Sequence, residues 1–159
     1  MTRINTVNPS DLTNEWLLAE FTELLRIPNK ILSGKTKLDK NRIPASFRMG
    51  TGHEIFFHDK LKWLHDRHNA ITKECLSRGI NINTNFKFNY DSLPQVVKLF
   101  YYNDWKPSQA DHGILIERLQ ERFDLRKKAY HVTFEGVKHN IDCEHSFNWY
   151  CEKFLSKYF

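Results

Sequence analysis

Apolar residues recur along this chain at helical spacing in several stretches, separated by polar segments marked with Gly and Pro. In the first stretch Leu17, Phe21, Leu24 and Leu25 share one face of a helix predicted over about residues 8–27. Asn8-Pro9-Ser10-Asp11 reads as its start, with an Asn cap, Pro in the first turn and an early acid, and Pro28 is expected to stop it. Trp16, Ala19, Glu20, Glu23 and Arg26 line an adjoining face. A stronger stripe of Phe57, Leu61, Leu64, Ile71 and Cys75 predicts a central scaffold helix over residues 56–78, closed by Gly79.

The remaining elements are less continuous. Residues 30–52 are basic and broken by Ser33-Gly34, Pro44, Gly50 and Gly52, so a long loop is expected there. A mixed segment follows the second helix as far as Tyr102, and then Pro107 and a Ser108-x-x-Asp111 cap start a third helix that runs to about residue 123. Residues 130–134 and 137–141 flank Glu135-Gly136 and read as a small hairpin. Phe147, Cys151, Phe154, Leu155 and Tyr158 then predict a docked C-terminal helix. The expected fold is mainly α: a compact single domain of three principal helices with long loops, a small C-terminal hairpin and an extra C-terminal helix. A length of 159 residues agrees with one domain.

Charge adds a partner to this picture. The net charge is +5, and residues 26–48 carry Arg26, Lys30, Lys35, Lys37, Lys40, Arg42 and Arg48 against Asp39 alone. Such a run suits a polyanion, the alternative being a solvated flexible loop. Arg118 and Arg122 lie four apart on the third helix; their guanidinium forks match phosphate oxygens, unless Glu117, Glu121 and Asp124 merely offset them at the surface. Cys75, Cys143 and Cys151 form no paired framework, and no apolar stretch has the length of a signal core or membrane span, so a reduced, cytoplasmic protein is expected. His58, His65 and His68, like His139, Cys143, His145 and Cys151, lack zinc spacing, and no acidic cluster fits a two-metal nuclease. Metal-dependent phosphodiester hydrolysis is not expected.

The most reactive group is at the start. Thr2 is small enough for removal of Met1, which would leave a free α-amine beside the Arg3 guanidinium. An α-amine with a pKa of about 8 is roughly a tenth neutral at pH 7, against about one part in 2,500 for a lysine at about 10.4. Arg3 would lower the amine pKa further by repulsion. A neutral amine forms Schiff bases with sugar carbonyl centres. Glu20 and Glu23, three apart on one helix, put two carboxylates within reach of each other, a pairing suited to acid and base roles or simply to a solvated surface.

Met1-Thr2-Arg3-Ile4-Asn5, Ala19-Glu20-x-x-Glu23-Leu24-x-Arg26, Gly52-His53 leading to Phe56-Phe57-x-Asp59-Lys60-Leu61, and Glu74-Cys75-Leu76-x-Arg78-Gly79-x-Asn81-Ile82 occur in order. Together they resemble the pyrimidine-dimer DNA glycosylase family over roughly residues 1–82, and less closely through the helix of Arg118 and Arg122. The resemblance implies a compact, mostly helical repair enzyme, a monomer without cofactor or metal, with glycosylase and abasic-site lyase activities on lesion-containing duplex DNA. It implies that the amine of Thr2 attacks the anomeric carbon and forms an imine, that Glu23 is the essential acid, and that Arg3, Arg26, Arg118 and Arg122 hold phosphates; Glu20 and Arg48 are expected on the same DNA-facing side.

The chain departs from the family pattern in two places. Thr22 stands where an Arg precedes the catalytic Glu, and Glu15-Trp16 stands where Gln-His is typical. Both lie on the family's DNA-facing side, so positive charge is lost there. Trp16 is then either a core residue or an aromatic surface that stacks on opened bases. Two rival readings remain beside cleavage at cyclobutane pyrimidine dimers: the same chemistry on another damaged or modified base, and a non-catalytic DNA-binding module.

Overall fold

A computed structural model describes residues 2–159. The chain enters as an extended segment that is buried at once, with Ile4 and Val7 fully enclosed. A 3-10 turn, Pro9–Asp11, follows under the Asn8 cap. Helix α1 (Asn14–Glu23) then starts at Thr13, whose hydroxyl accepts from the Trp16 N–H. The single long helix expected here is therefore divided. Its break falls at Leu24 and Leu25, and α2 (Arg26–Leu32) begins immediately after. Pro28 does not stop it: the residue lies in the first turn of α2, where a backbone N–H has no intrahelical acceptor to lose.

The predicted scaffold helix is also divided. Helix α3 (His53–Phe56) passes into a 3-10 turn at Phe57–Asp59, Lys60 leaves helical geometry at φ −124°, and α4 (Leu61–Ser77) continues. Gly79, at φ +72°, closes α4 in the left-handed conformation, and Ile80 N–H bonds back to the Cys75 carbonyl. The mixed segment holds a short helix that periodicity did not reveal, α5 (Gln95–Phe100). Helix α6 (Gln109–Asp124) starts as read, with Ser108 and Asp111 capping each other reciprocally.

Strands β1 (Tyr130–Phe134) and β2 (Val137–Ile141) pair antiparallel, Tyr130 opposite Ile141. Their two-residue turn places Glu135 at φ 49° and Gly136 at φ 76°, the mirror-image turn that suits strand twist. Helix α7 (Glu144–Tyr150) runs on as a π-helical segment, Cys151–Leu155, and a final 3-10 turn. The fold is thus mainly helical with one small hairpin, as expected.

One apolar cluster joins these parts, with α1 packed between α4 and β1. Trp16 lies within it, 1% exposed, its ring 5.0 Å from Tyr130 and 6.0 Å from Tyr150. The C-terminal tail locks onto the N-terminal turn through Asp11: its backbone carbonyl accepts from Tyr150, and its carboxylate from Lys157 and Tyr158. No helix among the described residues is long and apolar enough to cross a membrane.

Candidate active site

The site grows from the buried N-terminal segment. Thr2 is 1% exposed and its hydroxyl donates to Oε1 of Glu54, the second residue of α3. Two residues on, the Ile4 N–H donates to Nε2 of His53 at 3.1 Å. The other ring nitrogen of His53 faces the Arg48 carbonyl at 2.8 Å, and since a carbonyl only accepts, Nδ1 carries the proton. His53 is therefore the neutral tautomer that this pair of bonds requires. Burial agrees, pushing its pKa below the usual value against the weaker upward pull of the Arg48 carbonyl.

Gly52 makes this entry to α3 possible. It sits at φ +86°, and a side chain there would meet Arg48 Cδ at 3.1 Å and Pro44 Cγ at 3.3 Å. Glu54 in turn accepts from Lys30 Nζ on α2 at 2.8 Å. Burial alone would raise the Glu54 pKa, but the hydrogen bonds from Lys30 and Thr2 outweigh it and hold the carboxyl below its ordinary value.

Glu23 closes the other side. It is the last residue of α1, and its Oε2 is buried and accepts no hydrogen bond from any described residue. Arg3 Nε stands 3.8 Å from that oxygen. Helix α6 brings two more guanidinium groups to the same place. Burial, then repulsion from Arg3 and Arg118, lowers the Arg122 pKa to about 10, while Glu23 opposes the shift. Arg122 thus stays charged at neutral pH. Arg118 donates to Glu121 at 3.0 Å and has a buried Nε with no partner among the described residues. The N-terminal segment, the end of α1 and Arg122 of α6 therefore meet around one carboxylate, whose Oε2 accepts no hydrogen bond among the described residues and has the Arg3 guanidinium beside it. Such an arrangement can bind an anion beside an electron-poor carbon and take up a proton.

Other expected site residues sit elsewhere. Glu20 does not face DNA and forms no acid pair with Glu23. It is 0% exposed, and Arg67 of α4 grips both its oxygens while Asn5 Nδ2 donates to Oε1 at 2.6 Å. Arg67 also donates to the Val7 carbonyl at 2.9 Å, so this buried pair braces the N-terminal segment. Trp16 is likewise no DNA surface, because Tyr130 and Tyr150 enclose it. Thr22 is exposed, but its hydroxyl donates back to the Ala19 carbonyl at 3.0 Å. Arg26 opens α2 at the surface beside Glu23, and Arg48 is exposed with its carbonyl committed to His53.

The basic loop folds over α3 and leaves a cavity of about 550 Å³ between Lys35, Lys37, Arg42, Asp39, Glu54 and His58. No group of three or more His, Cys, Asp or Glu side chains among the described residues is placed to hold a metal ion. Sequence reasoning passed over Glu54 and Arg67 and read Lys30 only as part of the basic run; the one available signal was an acid in the first turn of an element introduced by Gly52-His53. Residues 1–88, more than half of the chain, match the family model described as Pyrimidine dimer DNA glycosylase.

Proposed function

The chain belongs to the pyrimidine dimer DNA glycosylase family, DNA-repair N-glycosylases whose substrate is DNA, and we propose that it cleaves cyclobutane pyrimidine dimers through the terminal amine of Thr2, with Glu23 as the assisting acid and base. It acts as a monomeric single domain on duplex DNA. Arg3, Arg26, Arg118 and Arg122 hold the phosphates, while Arg48 extends the basic track along the loop. The duplex is bent so that a nucleotide leaves the stack and the amine reaches the sugar.

Met1 must be absent for this chemistry; its structure lies outside the described residues. The neutral amine adds to C1′ while the glycosidic bond breaks, its electron pair leaving with the base, which takes a proton. The nitrogen gives its surplus proton to Glu23. Rupture of the C1′–O4′ bond, with O4′ protonated, leaves an iminium. Loss of a C2′ proton then expels the 3′ phosphate, so an abasic-site lyase step follows from the same intermediate.

The observation that carries the reading is the Glu23 carboxylate. Its buried Oε2 beside Arg3, unbonded among the described residues, is the kind of unsatisfied polar atom that a structural role does not explain. The test is borohydride reduction of the protein mixed with duplex containing a dimer or an abasic site. A covalent complex whose DNA maps to Thr2 supports the reading, and a complex mapping to a lysine, or none, overturns it. The same duplexes with other lesions test the second reading, which the missing cation at Thr22 favours.

A further inference from the structure

Glu54 and Lys30 form a pair that the chemistry above does not use. One Glu54 oxygen accepts from the Thr2 hydroxyl and the other from Lys30 Nζ at 2.8 Å, so α2 and α3 are tied together directly beneath the chain terminus. Thr2 is enclosed, whereas the Lys30 and Glu54 side chains are 43% and 30% exposed. We propose that Glu54 is a positioning residue that seats Thr2 through its side chain, and that Lys30 cancels the charge this seat would otherwise place beside the amine.

The reason for two residues is electrostatic. An acceptor is needed to fix the Thr2 hydroxyl, and a carboxylate is a strong one. A bare carboxylate a few ångströms from an amine, however, favours the ammonium form and raises its pKa by on the order of one pH unit, which removes the nucleophile. With Lys30 on the second oxygen the amine faces a dipole in place of a net charge.

Among the described residues no other charged neighbour donates to Glu54: Lys35, Lys37, Arg42 and His58 line the cavity beside it without bonding to its oxygens. In the N-terminal segment Arg3 is engaged toward Glu23 of α1, and on α6 Arg122 is drawn toward Glu23 and repelled by Arg3 and Arg118. On α3 His53 is neutral, held by Ile4 and Arg48, and on α2 Arg26 lies one turn before Lys30, whose Nζ is the cation on Glu54 Oε2. A neutral seat also lets Thr2 keep the rotamer that aims its nitrogen, and a misplacement of about 1 Å at a reacting atom can cost on the order of 10²-fold.

This inference rests on the Thr2 reading, so its test uses single-turnover kinetics on abasic-site duplex as a function of pH, with borohydride trapping at Thr2 as a parallel readout. Lys30→Met should move the acid limb of the rate profile to higher pH by about half to one unit, with the plateau rate restored in alkali. Glu54→Gln keeps an acceptor and leaves Lys30 uncompensated, so its limb should move the opposite way. Glu54→Val and Thr2→Ala should lower the plateau at least about 10-fold. Melting temperatures screen the variants for folding; if Glu54→Val fails that screen, the opposed shifts of Lys30→Met and Glu54→Gln decide alone. Profiles that superimpose on wild type, or shift in the same direction, overturn the inference while trapping at Thr2 leaves the parent reading standing. Wild-type trapping at any other residue overturns both.

Discussion

Glu20 and Glu23 leave the same helix three residues apart, and they show what two regions of this molecule do with a carboxylate. On the inner side of α1 Glu20 is fully enclosed and every available partner is used: Arg67 from α4 and Asn5 from the N-terminal segment. At the C-terminal end of α1 Glu23 keeps one oxygen without a hydrogen bond among the described residues, although a guanidinium stands 3.8 Å away. A satisfied buried ion pair fixes geometry, and breaking it leaves an uncompensated charge. An unsatisfied oxygen at the edge of a basic cluster is available to a reactant. The same residue type therefore serves architecture in one region and, in the proposed reaction, chemistry in the other.

The largest expected effect tests the reactive side. Acetylating Thr2, or leaving any residue ahead of it, should abolish cleavage and imine trapping while DNA affinity and melting temperature stay near wild type. Turnover by such a blocked protein at the normal rate would dissolve the contrast. Next, Glu23→Gln should lower the single-turnover rate by about 10² to 10⁴-fold without loss of DNA binding, as expected for a positioned acid or base. Glu20→Ala should do the reverse. It strands Arg67 and should cost about 3 to 5 kcal/mol of stability in denaturant titration, while the folded fraction retains most of its rate. Equal rate losses in the two variants, at equal stability, would mean the roles are wrongly divided.

Smaller effects sharpen the picture. Arg118→Ala and Arg122→Ala should each reduce the slope of log affinity against log salt by about one and weaken damaged and undamaged duplex alike. The smallest effect is on pH. Burial holds the folded pKa values of His53 and His68 below the usual one. As pH falls below about 6.5 the unfolded chain takes up protons first. Stability from these rings is therefore fully present above that pH and lost as pH drops through the lower folded values. Thermal melts at pH 7.5 and 5.5 should show this decline, and His53→Gln should lessen it.

Features that depend on neighbouring residues were legible in the sequence. The Ser108-x-x-Asp111 box and the Glu135-Gly136 turn are local interactions, and both elements lie where they were expected. Helix α1 was legible in its core face, since Leu17, Phe21, Leu24 and Leu25 are buried as expected, but not in the width of that face, because period alone cannot say how far burial extends around the helix. Arg67, Tyr130 and Tyr150, all distant in sequence, decide that and draw Glu20 and Trp16 into the core. Pro28 misled because a proline that ends one helix and a proline in the first turn of the next look alike. Helix α3 spans only His53–Phe56, too short to show periodicity, so the placement of Glu54 against Thr2 had no sequence signature beyond the Gly52-His53 entry that introduces it.

Chain ends usually fray, yet here Thr2, Ile4, Asn5, Thr6 and Val7 are at most 5% exposed. For the proposed reaction this changes the entropy of the encounter. An amine on a loose tail would meet the sugar at an effective concentration set by the volume the tail explores, in the millimolar range typical of flexible tethers. A group held in fixed orientation can act at effective molarities of about 10⁵ to 10⁸ M. The ordering cost is met during folding, by Ile4 on His53 and Val7 on Arg67, so little remains to be spent when DNA arrives. A terminus threaded through the core thus gives a nucleophile made of backbone the fixity usually reserved for a side chain on a helix.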